Sequence, residues 1–158
     1  MLRHNCTFKK NAIVSYIRLS TESDTAALAD IWRASVRATH GFISEADFLA
    51  LDILVAEHYL PATRVWIVVD DNGRARGFLG LTGANVDSLF IDPASRGQGL
   101  GSELLAHANS IAGSLSVDVN EQNIQAVGFY RHMGFQPTSR SPVDDAGRPY
   151  PILHMQQE

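Results

Sequence analysis

The run Val86-Asp-Ser-Leu-Phe-Ile-Asp-Pro-Ala-Ser-Arg-Gly-Gln-Gly-Leu-Gly-Ser102 contains three kinds of backbone in direct succession. Val86, Leu89, Phe90 and Ile91 are apolar and β-favouring, which predicts a strand. Asp92-Pro93 ends it, because proline removes a ladder donor and favours a turn. Glycines then alternate at 97, 99 and 101, and Leu100, Leu104, Leu105, Ala108 and Ile111 follow at helical spacing. A strand, a glycine-rich loop and a helix N-terminus form an anion site. The first helical turn offers unpaired N–H groups and the positive end of the dipole. Glycines let several such groups converge on one phosphate, and Arg96 adds a charge at the entrance. No Gly-Lys-Ser/Thr follows, so this is not a nucleotide P-loop. Gly97-x-Gly99-x-Gly101 also lacks the spacing of the dinucleotide G-x-G-x-x-G. On the glycines alone, a flexible loop with a glycine-rich cap is the alternative reading.

The remainder of the chain bounds the answer. Its 158 residues predict one domain with a sizeable core. A formal net charge of −4, from 13 basic and 17 acidic residues, disfavours a nucleic-acid partner. Cys6 is the only cysteine, so no intrachain disulfide forms, which is compatible with a reducing cytoplasm. No apolar run approaches a membrane span, so no membrane partner is expected. The six histidines (4, 40, 58, 107, 132 and 154) show no compact ligand spacing, so no metal is expected. Residues 1–12, polar and basic without an apolar core, read as a poorly ordered extension to a domain spanning 13–158.

Periodicity predicts the elements in order. A strand runs from Ile13 to Leu19. A helix with Leu28, Ile31, Trp32, Ser35 and Val36 on one face follows the capping pattern Thr21-x-x-Asp24 and ends near His40-Gly41. A second helix starts at Ser44, carries Phe48, Leu51, Leu54 and Val55, and stops before Pro61. Arg64 to Val69 reads as a strand buried on both faces, and Asp71-Asn72-Gly73 turns the chain into Gly77 to Thr82. After the loop and its helix come a half-buried strand at Leu115–Val119 and a helix at Asn123–Met133. Two closing strands follow, at Phe135–Arg140 and Tyr150–Met155. The pattern is one α/β domain with a mixed sheet covered by helices.

Two motifs then carry a family resemblance. Arg96-Gly-Gln-Gly99-Leu-Gly101 resembles the R/Q-x-x-G-x-G/A loop of the GNAT N-acetyltransferases. Asn123-x-x-Ala126-x-x-Phe129-Tyr130-x-x-x-Gly134-Phe135 resembles that family's second signature, in the right order and on the right elements. Ala38-Thr-His-Gly-Phe, Asn120-Glu-Gln-Asn and Val143-Asp-Asp-x-Gly-x-Pro-Tyr-Pro are similar to the bacterial YjaB-type branch, regarded as peptidyl-lysine or small-amine acetyltransferases.

The resemblance implies a single GNAT-fold domain, an α+β arrangement of about seven strands and about four helices. It implies acetyl-CoA as co-substrate and direct acetyl transfer to a primary amine, either protein lysine or a small amine, by a monomer or homodimer. Carried over by position, Leu89, Phe90 and Ile91 would meet the pantetheine arm through their backbone. Arg96, Gly97, Gln98, Gly99, Leu100, Gly101 and Ser102 would hold the diphosphate. Asn123 would bind the cofactor, and it reads as a helix N-cap as well.

Tyr130 would be the catalytic acid. A phenol of reference pKa about 10 can donate to a thiolate whose acid has a pKa of about 8.5. From the helix alone, Tyr130 reads as a core aromatic beside Ala126 and Met133; the motif makes it the acid. A base must take the acceptor's proton, and Asp87, His40, Glu45 or water remain open. The competing readings are a non-catalytic acyl-CoA sensor on the same fold and an adenine-nucleotide regulatory domain.

Overall fold

The computed structural model describes residues 15–158, so the expectation for residues 1–12 lies outside the described residues. Seven strands form one mixed sheet in the order β1-β2-β3-β4-β5-β7-β6. They are β1 (Ser15–Leu19), β2 (Trp66–Asp70), β3 (Ala75–Thr82), β4 (Asn85–Ile91), β5 (Ser116–Asn120), β6 (Phe135–Ser141) and β7 (Ile152–Gln157). Four helices cover them: α1 (Thr25–Thr39), α2 (Glu45–Ile53), α3 (Leu100–Ala112) and α4 (Ile124–His132). All neighbouring strands are antiparallel except β4 and β5, which are joined through α3 and run parallel.

The sheet separates two apolar clusters. On one face Leu28, Trp32 and Val36 of α1 pack with Phe48 of α2 and with Ile67, Val69 and Phe78 of the sheet. On the other, Leu104, Leu105 and Ala108 of α3 and Tyr130 of α4 pack on Val68, Leu79, Val117 and Met155. The predicted double burial of β2 follows directly, for Ile67, Val68 and Val69 are all fully buried. Asp70 closes the hairpin after β2. Its Oδ1 accepts from the N–H groups of Asn72 (3.0 Å) and Arg74 (2.9 Å), and Arg76 pairs with its other oxygen at 2.7 Å.

Four expectations need correction. The second helix does not stop before Pro61: it continues through a π turn (Leu54–Tyr59) into a last turn at Leu60–Ala62. The Leu60 N–H reaches back five residues to Val55 O, and that wider turn makes room for a proline ring that would clash with an i−4 carbonyl. Leu54 faces solvent while Val55, Ala56 and Tyr59 pack inward, because ordinary helical spacing from Phe48 returns Val55 to the buried face and leaves Leu54 about 120° away. Ile111 is exposed too, because Ala112 takes the inward position in the last turn of α3. Finally, β7 begins at Ile152 rather than Tyr150, whose side chain is drawn off to Asp47 of α2.

Candidate active site

The only parallel junction in the sheet comes apart after two residue pairs. β4 and β5 pair at Asn85–Ser116 and Val86–Val117 and then diverge, forming a fork. Asp87 is skipped in the β3–β4 register, since Gly80 faces Ser88 while Leu81 faces Val86. This is a bulge at the apex of the fork, the kind of irregularity that bends a strand and terminates pairing. Further along β4, the Asp92 N–H donates to Arg76 O at 2.8 Å. Bonds to one neighbour recur at every second residue of an antiparallel strand, so the backbone of Phe90 is turned to β3. Leu89 and Ile91 present their N–H and C=O groups to the open side of the fork.

A cavity of about 470 Å³ passes through this opening. It is lined by Ser35, Thr39 and His40 on the α1 face, and by Ala126, Phe129 and Tyr130 on the α3/α4 face. Its floor is the loop before α3. Gly97 and Gly99 have φ of +77° and +80°, and a Cβ built on either would meet nothing within 4 Å, so the loop faces open space. The first bond of α3 runs from the Glu103 N–H to Gly99 O at 3.0 Å, which leaves the N–H groups of Leu100, Gly101 and Ser102 without intrahelical partners. Gly101 is tight for a different reason: a Cβ there would stand 3.2 Å from Phe129 Cζ, so the start of α3 rests against α4. Arg96 Nη2 donates to Ser35 Oγ at 3.1 Å, tying the loop to α1. Free donors, left-handed glycines and a nearby guanidinium suit a diphosphate.

Of the site residues expected from sequence, all but Gln98 line this cavity; Gln98 is exposed on the outer side of the loop. Phe90 lines it, but with its backbone committed to β3 its contribution is its ring, 5.6 Å from that of Phe78. Asn123 combines both of its readings: its Oδ1 accepts from the Ala126 N–H at 3.2 Å as an N-cap, and it lines the cavity. Tyr130 is held edge-on between Phe129 and Phe135, with ring centroids 5.4 and 5.3 Å away. Burial pushes its pKa up, so the phenol keeps its proton.

Only one of the three candidate bases reaches the cavity. Glu45 is exposed and bonded to Arg37 at 2.6 and 2.8 Å. Asp87 accepts from Thr82 Oγ1 and from Asn85 Nδ2, the latter at 2.8 Å, and stands outside the lining. His40 lines the cavity and bonds Thr39 Oγ1 at 2.7 Å; burial, assisted by Arg96, lowers its pKa to about 4. Sequence reading missed Thr39 and Gln125 as lining residues and missed a bonded line of Asp118, His154 and Ser141. Alternation in β5 places Asp118 on the outward face, but its partners follow only from the β5–β7–β6 pairing. Among the described residues, no group of three or more His, Cys, Asp or Glu could hold a metal ion. No helix there is long and apolar enough to cross a membrane.

A forked mixed sheet with a glycine cradle beneath the fork defines an acyltransferase class, and comparison with known proteins agrees. The GNAT acetyltransferase domain profile matches residues 61–137. The chain belongs to the GNAT acetyltransferase family. It is 50% identical to the peptidyl-lysine N-acetyltransferase YjaB of Salmonella typhimurium over 139 residues, 88% of this chain and 95% of that protein. The solution structure of apo YjaB from Escherichia coli superposes with a TM-score of 0.87 at 45% identity, covering 91% of this chain and 97% of that one. The fold is shared with the PaiA N-acetyltransferase of Thermoplasma acidophilum, a coenzyme A complex, at a TM-score of 0.76 and 18% identity over 92% and 99% of the two chains.

Proposed function

We propose that this protein transfers an acetyl group from acetyl-CoA to the side-chain amine of a protein lysine, directly and without a covalent enzyme intermediate. The observation that carries this reading is the cavity through the β4–β5 fork, with the cradle loop at one end and Tyr130 in its wall. The lysine acceptor is supported by the names of the YjaB relatives, which this chain matches over most of its length. When bound, acetyl-CoA supplies an acyl group activated as a thioester.

The chain's own residues do the rest. The N–H groups of Leu100, Gly101 and Ser102, with the Arg96 guanidinium, hold the diphosphate. Leu89 and Ile91 offer the free backbone groups at the fork to the pantetheine amides. One of their N–H groups, already free at the fork, would stabilise negative charge developing on the acyl oxygen. Tyr130 Oη donates its proton to the departing sulfur as the C–N bond forms and the C–S bond breaks, and the attacking amine gives up its proton to water. Its raised pKa ensures that the hydroxyl enters the reaction protonated at neutral pH. Cytoplasmic residence fits a reaction that consumes coenzyme A thioesters, and a net charge of −4 fits a cationic acceptor better than nucleic acid.

Calorimetric titration of the purified protein with acetyl-CoA, using ATP as control, tests the cofactor. Mass spectrometry of a lysine-peptide panel incubated with acetyl-CoA then tests the acceptor. Binding of acetyl-CoA but not ATP, with acetyl-lysine formed, is expected. Binding without turnover on any amine would replace the enzyme by an acyl-CoA sensor, and no binding would overturn both.

A further inference from the structure

Among the described residues, a catalytic-looking constellation outside the cavity is the line Asp118–His154–Ser141. His154 Nδ1 lies 2.6 Å from Asp118 Oδ1, and His154 Nε2 lies 2.7 Å from Ser141 Oγ. The three residues come from three adjacent strands. Asp118 of β5 is directly opposite His154 of β7, and Ser141 is the last residue of β6, opposite Ile152. Val117, Val119, Leu153 and Met155 all pack on the α3/α4 side, so strand alternation puts Asp118 and His154 on the other face. None of the three lines the cavity that holds Tyr130.

With the ring neutral, the hydrogen bonds allow one arrangement of protons. A carboxylate accepts only, so His154 donates Nδ1–H to Asp118, and in the neutral ring Nε2 is then left to accept the Ser141 hydroxyl proton. This is the order of roles in nucleophilic catalysis: a hydroxyl, a base bonded to it, and a carboxylate that fixes the tautomer and orientation of the base. Among the described residues, Asp118 and His154 form an ion pair with each other alone. Arg140 and Glu121, on the neighbouring segments, are bonded to each other at 2.9 Å. The Ser141 side chain is half-buried, and His154 and Asp118 are 33% and 53% exposed, so a small reagent reaches the line from solvent.

We propose that Ser141 is an activated nucleophile, and that this face is a second reactive site taking small activated acyl esters. Ser141 Oγ attacks the ester carbonyl carbon, and an Oγ–C bond forms as the bond from carbon to the leaving oxygen breaks. The leaving phenolate departs with its electron pair. The Oγ proton passes to His154 Nε2, and the imidazolium is held by the Asp118 carboxylate until water takes the proton. Because Asp118 is half exposed, solvent screens its charge and the step is slow, so an activated aryl ester is the appropriate probe.

The full-length protein is incubated with p-nitrophenyl acetate and, in parallel, with an alkyl fluorophosphonate, without coenzyme A, and the adducts are mapped by peptide mass spectrometry. Label at Ser141 is expected, slowed roughly tenfold or more by Asp118→Asn and more by His154→Gln. Tyr130→Phe should label at the wild-type rate, which separates this result from the acetyl-transfer reading. Absence of label, label only on Cys6, a lysine or His154, or a Ser141 rate unchanged by His154→Gln would overturn the proposal. The wild-type map decides even if a variant fails to fold.

Discussion

Tyr130 is buried between two aromatic rings and lines the cavity, and the proton-donor proposal rests on that placement. Packing fixes the ring, while burial raises the pKa of the phenol and favours its neutral form. Tyr130→Phe keeps the packing and removes only the proton. We expect kcat to fall by roughly 10²- to 10⁴-fold with acetyl-CoA affinity within about twofold of wild type, measured by steady-state kinetics and calorimetry. Unchanged kcat would remove Tyr130 from the chemistry. His40 gives a second test, in stability. Its pKa falls from an ordinary 6.5 to about 4 in the folded chain, because burial, helped by Arg96, penalises the charged ring. The unfolded chain therefore binds the proton more readily. The stability contributed by neutral His40 is fully present above pH 6.5 and is lost as pH falls through the window to about 4. His40→Gln should flatten the melting temperature across that window while leaving the more acidic decline, in which Asp24 (pKa about 2 beside Arg18) takes part. A profile unchanged by the substitution would show that His40 does not titrate as its burial implies.

The elements are held in place by a few close approaches, and Gly80 of β3 is one of them. A Cβ there would run into Tyr59 Oη and stand 2.6 Å from Ser88 Oγ. Those two hydroxyls are bonded at 2.8 Å, and Ser88 Oγ also accepts from the Gly80 N–H at 3.1 Å. The π turn thus delivers Tyr59 onto the sheet beside the β4 bulge, where only a glycine leaves room. Gly80→Ala should cost about 1–3 kcal/mol in denaturant unfolding. Adding Tyr59→Phe, which removes the obstructing oxygen, should recover part of that loss; a purely additive double variant would place the strain elsewhere. This contact also shows where sequence reading stops. The strands, α3 and its loop were legible because each is a local pattern (alternation, helical spacing, or glycines and a proline at fixed offsets), whereas Tyr130 stood out only through the motif resemblance, helical spacing alone making it a core aromatic. The π turn was not, since Pro61 reads locally as a stop and only the wider Leu60–Val55 bond accommodates it. The Ser141–His154–Asp118 line was invisible for a related reason. Its members are far apart in sequence and meet only through the β5–β7–β6 register.

The molecule as a whole is two half-sheets joined narrowly. β1 to β4 with α1 and α2 form one half, and β5, β7 and β6 form the other. Along the sheet they meet at the pairs Asn85–Ser116 and Val86–Val117 alone. Past the opening they meet again where Tyr150, from the segment before β7, bonds Asp47 of α2, accepts from the Ser44 N–H at 3.3 Å, and has Arg148 beside it, 3.4 Å from Asp47. Between these two ties lies the fork, where the N–H groups of Leu89 and Ile91 have no strand partner. That of Phe90, between them, is bonded to β3. A pantetheine arm that fills the fork would supply the missing partners and join the halves along their full edge. Amide hydrogen exchange resolved by residue separates this from simple burial. In the free protein, Leu89 and Ile91 should exchange rapidly and Phe90 slowly, despite identical strand context. Saturating acetyl-CoA should slow Leu89 and Ile91 by at least roughly tenfold while changing Phe90 little, because an amide already in a ladder opens only with its strand. Equal protection of all three on binding would mean that the cofactor stabilises β4 generally, and that the open backbone of the fork takes no direct part in holding it.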